Sequence, residues 1–199
     1  MTKKYDFSKK INLAEELFKK GDLNKADDIY KDLFKNKVYT YELLISCASF
    51  NKNIKRYKIA EDLLTLSLRK YPRGIKSYLL LSEIYILQKN FKQAEKLLLK
   101  AKEIDQQNSF VYYRLAVLYF TIKNHEKANK FIDNALLISP NKNEYSILKA
   151  DILFNKNYYK KALDLLSKIN IEKNTYLYLQ KELLLSNIYI AIPEYEKAE

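Results

Sequence analysis

The apolar positions of this 199-residue chain fall in short helical arcs separated by brief polar breaks, and the arcs repeat. The signature "aromatic or Leu, two residues, Ala" returns as LNKA, YKIA, FKQA, HEKA, YYKKA and YEKA, with its alanines at Ala26, Ala60, Ala94, Ala128, Ala162 and Ala198. Successive alanines stand 34 residues apart four times and then 36, which places a two-residue insertion near NTYLY before the last copy. A second small residue precedes each alanine by twelve: Ala14, Ala48, Ser82, Ala116, Ala150 and Ser186. Helices approach closely only where side chains are small, so these pairs predict helix-turn-helix hairpins whose two helices touch at those points. Leu13, Cys47, Leu81, Leu115 and Leu185 precede the first small residue, and Leu17, Tyr85, Tyr119, Leu153 and Tyr189 follow it by three, completing one helical face.

A 34-residue period with these residues resembles the tetratricopeptide repeat (TPR) family. The best copy is residues 109–142, where Tyr112, Leu115, Ala116, Tyr119, Ala128, Ile132, Ala135 and Pro140 fall at the family's positions in order. The resemblance implies an all-α chain folded as a right-handed superhelical solenoid. It divides the chain, read as a single array, into repeats 7–40, 41–74, 75–108, 109–142 and 143–178 and a partial repeat 179–199. The family's Trp is missing, its Gly is Ala or Ser, and Asn51 and Lys149 stand where apolar residues are usual. Lys149 is expected to lay its alkyl stem on the core and carry its ammonium to water. Gly21, Asn90 and Asn124 are expected to form turns, and Pro72 and Pro140 to follow helix ends. YEKA should open the second helix of the partial repeat, so the chain is expected either to be a piece of a longer protein or to have this end covered by a partner, including a second copy of itself.

Composition narrows the chemistry. Two Gly and three Pro are too few for an all-β chain with frequent tight turns. One Cys and one His exclude a disulfide and argue against a Cys/His zinc site or a nucleophile pair. Cys47, inside LLISCASF, is expected to be a buried inert thiol, and His125, in KNHEKA, a polar surface residue. Glu15 and Glu16 interrupt the basic N-terminus, so it does not read as a secretory signal. Glu83 and Arg114 break the longest apolar stretches well short of the roughly 20 residues a membrane span needs. A soluble cytoplasmic chain without a cofactor is the expectation.

The formal charge of +12 raises nucleic acid as a partner, because Lys and Arg displace counterions from phosphate. Only four of the 36 basic residues are Arg, the side chain suited to bidentate phosphate contacts. Nucleic-acid binding is therefore expected to be non-specific if present. The densest basic cluster, Lys52, Lys55, Arg56 and Lys58, is expected to be a solvated turn.

In the TPR family, positions 2, 5, 9, 12 and 13 of each repeat face a concave groove. Carried onto this chain, they supply Leu79, Glu83 and Ile86 from repeat three and Phe110, Tyr113, Val117 and Phe120 from repeat four. Repeat five adds Ile147, Asp151 and Phe154. The Lys, Asn and Arg clamp with which some members hold a chaperone's C-terminal carboxylate is missing. The leading expectation is a non-enzymatic scaffold that binds a peptide or amphipathic segment, one carrying Lys or Arg, in this groove. Two alternatives stand beside it. One is a basic helical-repeat RNA-binding module, like the related pentatricopeptide repeats. The other is the N-terminal substrate-recruiting region of a larger enzyme of glycosyltransferase or sulfotransferase type. The sequence holds no glycine-rich phosphate loop, HExxH motif or nucleophile elbow.

Overall fold

The structure, a computed structural model, describes residues 2–35, 39–173 and 175–196, with side chains from residue 7 to residue 192 within those ranges. The described residues form eleven α-helices and no strand. In the first half these are α1 (Thr2–Lys19), α2 (Leu23–Lys35), α3 (Tyr41–Asn53), α4 (Tyr57–Lys70), α5 (Ile75–Leu87) and α6 (Phe91–Ile104). The second half holds α7 (Ser109–Thr121), α8 (His125–Ile138), α9 (Asn143–Asn155), α10 (Tyr159–Ser167) and α11 (Tyr176–Glu196). They gather into two compact units, Met1–Ile104 and Asp105–Glu199. Odd-numbered helices are called A helices below, and even-numbered ones B helices.

The 34-residue period is written into the backbone at the A-to-B turns. Gly21, Lys55, Lys89, Lys123 and Asn157 all have positive φ, between 60° and 84°. At each, the amide of the next residue reaches five residues back: Asp22 to Leu17 O, Arg56 to Asn51 O, Asn90 to Tyr85 O, Asn124 to Tyr119 O and Tyr158 to Leu153 O, at 2.7–2.9 Å. This is the Schellman closure, which satisfies carbonyls that the helix end would otherwise leave bare. Gly21 takes the conformation without a Cβ penalty, whereas the lysines and Asn157 hold it against one. Asn90 and Asn124 sit one residue beyond the position expected for them and begin the B helices instead. Asn124 Oδ1 accepts from Lys127 N–H at 3.0 Å, and Asn90 Oδ1 from Gln93 N–H at 3.4 Å.

Within each hairpin the paired small residues are buried without remainder. Ala14 and Ala26, Ala48 and Ala60, Ser82 and Ala94, Ala116 and Ala128, and Ala150 and Ala162 have no exposed surface. Ser82 adds a hydroxyl to this contact and satisfies it by donating to Leu79 O at 2.7 Å. Ala198 lies outside the described residues. Ser186 departs from the pattern and is exposed, because no described helix follows α11 to cover that face. Tyr195 and Glu196, expected in a second helix, continue α11 instead.

Asn51 and Lys149 are accommodated by polar partners. Asn51 Nδ2 donates to Cys47 O at 2.8 Å, so the buried amide is satisfied by its own helix. Lys149 does not carry its ammonium to open water. It reaches α8, where Nζ lies 2.6 Å from Asp133 Oδ1 and 2.7 Å from Asn129 Oδ1. Cys47 is buried as expected, and burial pushes its thiol up to about 12.

Candidate functional site

The groove residues anticipated from the sequence fall on both units. Leu79, Glu83 and Ile86 lie on α5 of the first, all half-buried. Glu83 accepts from Lys52 Nζ at 2.9 Å, across from α3 to α5. This pair removes Lys52 from the expected solvated turn. Arg56 meets Asp27 at 2.9 Å and Lys58 meets Asp62 at 3.2 Å, so most of the basic cluster is already neutralised. A pocket of about 490 Å³ elsewhere in this unit, lined by Tyr41, Lys70, Tyr71, Pro72, Arg73 and Gly74, contains none of the candidate residues.

The second unit brings the remaining seven together on adjoining A helices. Helix α9 packs against both α7 and α11, with the B helices α8 and α10 behind it. Phe110, Tyr113, Val117 and Phe120 stand at i, i+3, i+7 and i+10 on α7, and this spacing aligns them along one face. Phe110 is 41% exposed, and the other three are half-buried. Rings brace the row: Phe110 lies 5.8 Å from Tyr113 between centroids, and Tyr113 stacks on Tyr145 of α9 at 4.8 Å. Burial raises the Tyr113 hydroxyl above its ordinary range, keeping it a neutral phenol. Ile147 departs from the expected placement: it is only 7% exposed and belongs to the core formed with Ala150, Ala162 and Leu184. Phe154 is half-buried against the same core and lies 5.7 Å from the Tyr159 ring.

Asp151 stands on α9, half-buried. Asn155 Nδ2 donates to its Oδ1 at 3.0 Å. Burial pushes this carboxyl above the usual carboxylate range, against the opposing pull of the Asn155 amide and of His125. His125 is not the surface residue expected. It is half-buried, its ring meets Phe120 edge-on at 5.6 Å, and its Nδ1 is occluded with no hydrogen-bond partner among the described residues. The signal was in the repeat alignment, since His125 opens HEKA where Tyr57, Phe91 and Tyr159 open their copies, a position that packs inward.

Helix α11 carries the apolar face that the partial repeat was expected to leave in need of cover. Leu184 and Ile188 turn into the core, while Tyr176, Leu179, Leu183, Tyr189 and Ile190 are 61–76% exposed. No group of three or more His, Cys, Asp or Glu among the described residues is placed to hold a metal ion. No helix among them is long and apolar enough to cross a membrane.

The family described as Tetratricopeptide repeat protein 21 ARM repeat matches residues 80–194, more than half of the chain. The chain belongs to this family. Its fold is shared with solved TPR proteins. A TPR protein from Parabacteroides merdae ATCC 43184 is 18% identical, with a TM-score of 0.78 over 99% of this chain and 76% of its own. A thermophilic TPR protein of Thermus thermophilus is 17% identical, with a TM-score of 0.76 over 89% and 98%. PilF of Pseudomonas aeruginosa is 16% identical, with a TM-score of 0.74 over 96% and 86%. No curated protein matches the chain by sequence. Membership of the TPR 21 ARM-repeat family carries a general expectation of protein–protein contacts through a repeat scaffold that is typically non-catalytic.

Proposed function

We propose that this chain is a non-enzymatic scaffold that binds an amphipathic protein segment along the A-helix face of its second unit. The observation that carries the reading is the row Phe110, Tyr113, Val117 and Phe120, whose members keep surface open to water although they are large and apolar. Side chains of this kind, gathered in one patch, mark contact sites. Phe154 extends the patch onto α9, and Ile147 serves as its floor. Leu79 and Ile86 offer a smaller counterpart on α5, where Glu83 is already engaged by Lys52. Replacing Tyr113 and Phe120 together by Ala should abolish capture of the partner while circular dichroism shows the helices intact. Capture that persists in this folded double variant would place the site elsewhere.

A second reading rests on α11. Its exposed apolar row suits self-association with another copy of the chain, and Leu183 with Ile190 would be central to it. RNA binding is disfavoured by the pairing of Lys52, Arg56 and Lys58 with carboxylates.

A further inference from the structure

We infer that Asp151 makes the groove selective for cations: a lysine or arginine of the bound amphipathic segment pairs with its carboxylate while apolar side chains seat on Val117, Phe120 and Phe154. This inference rests on the binding face proposed above and adds the charge of its occupant.

Asn155 supplies one amide hydrogen to Oδ1, and no lysine or arginine of the described residues forms an ion pair with Asp151. The chain's carboxylates at the corresponding places in other repeats differ: Glu83 is ion-paired with Lys52 at 2.9 Å, and Glu15, which accepts from the Ser46 hydroxyl at 2.7 Å, is exposed to water. His125, on the adjoining B helix, faces Phe120 and leaves its own Nδ1 without a partner. The group is therefore a half-buried carboxylate with one neutral hydrogen-bond donor, Asn155, and the His125 imidazole near enough to act on its charge.

Occupation of the groove would strip the remaining water from this carboxylate. A neutral or acidic segment would leave it desolvated and unpaired, which is costly, whereas an ammonium or guanidinium compensates the charge on contact. Selectivity then comes as much from rejecting the wrong segment as from holding the right one. It also runs against the charge of the whole chain, which at +12 attracts acidic peptides at long range. A preference for cationic segments can thus arise only from a local group.

The test uses the whole chain and three fluorescent peptides of about 18 residues, long enough for about five helical turns. All share one leucine face and differ only in carrying Lys, Gln or Glu beside it. Anisotropy is read at about 0.15 M salt, where long-range attraction is largely screened. The Lys peptide should bind about tenfold tighter than the Gln peptide and the Glu peptide weaker than both. Asp151→Asn should bring the Lys and Gln peptides within about threefold of each other, with the Gln peptide binding no weaker than before because the cost of desolvating the carboxylate is gone. Binding of all three with equal affinity, or a Lys preference that survives Asp151→Asn, overturns the inference and leaves the apolar face standing. Failure of all three peptides to bind, or binding that survives Phe120→Ala, overturns the proposed face and this inference with it.

Discussion

Asn124 follows Lys123, whose φ is 60°, and its amide reaches back 2.9 Å to Tyr119 O while its side chain caps the first turn of α8. The helix hairpin of residues 109–138 is thus closed by two neighbouring residues with separate tasks, one bending the chain and one starting the next helix. Lys89 and Asn90 divide the same tasks at the preceding turn.

Because the lysines hold a left-handed conformation that costs about 1–2 kcal/mol for a residue with a Cβ, Lys89→Gly and Lys123→Gly should each stabilise the protein. The gain should be about 0.5–1 kcal/mol after the added flexibility of Gly in the unfolded chain is deducted. Gly21→Ala should destabilise by a similar amount. Urea denaturation of the three variants checks the signs.

Ala128 and Ala116 are both fully buried where α7 and α8 meet. Ala128→Leu should overpack that contact and cost about 1–3 kcal/mol or more. A thermal melt indistinguishable from that of the unmodified chain would contradict the helix register.

The small-residue pairs were legible in the sequence because close packing leaves a helix crossing few choices of side chain. The turn geometry was not, because a Schellman closure is made by backbone groups and tolerates Lys as well as Gly or Asn. Lys149 misled for a related reason: its stem does lie inward, but its sequence neighbours do not reveal that Asp133 and Asn129, on a different helix, receive the ammonium. Ser186 follows the small-residue rule in sequence, and no helix among the described residues packs over it.

Asp151 carries a raised carboxyl pKa, so the folded state holds its proton more tightly than the unfolded state does. The stability this gives is present below the ordinary carboxylate pKa and is lost as pH rises through the folded value. Asp151→Asn should therefore melt at a higher temperature than the unmodified chain at pH 7, with the difference shrinking toward pH 3. Differential scanning calorimetry at the two pH values decides it.

With Lys52, Arg56 and Lys58 already paired to Glu83, Asp27 and Asp62, affinity for single-stranded RNA should be weak and sequence-independent. It should fall steeply between about 50 and 200 mM salt. Sequence-selective binding that survives at about 0.2 M salt would promote the RNA reading.

The most direct test of the binding face places a photo-crosslinking amino acid at Phe110, 41% exposed on α7, and in a separate protein at Leu137, 83% exposed on α8. Irradiation in cells should yield a discrete adduct from position 110, lost when Tyr113 and Phe120 are also replaced by Ala, and no comparable adduct from position 137. An adduct from position 137 alone, or one from position 110 that survives the double replacement, would contradict the assignment of partner binding to the A-helix face.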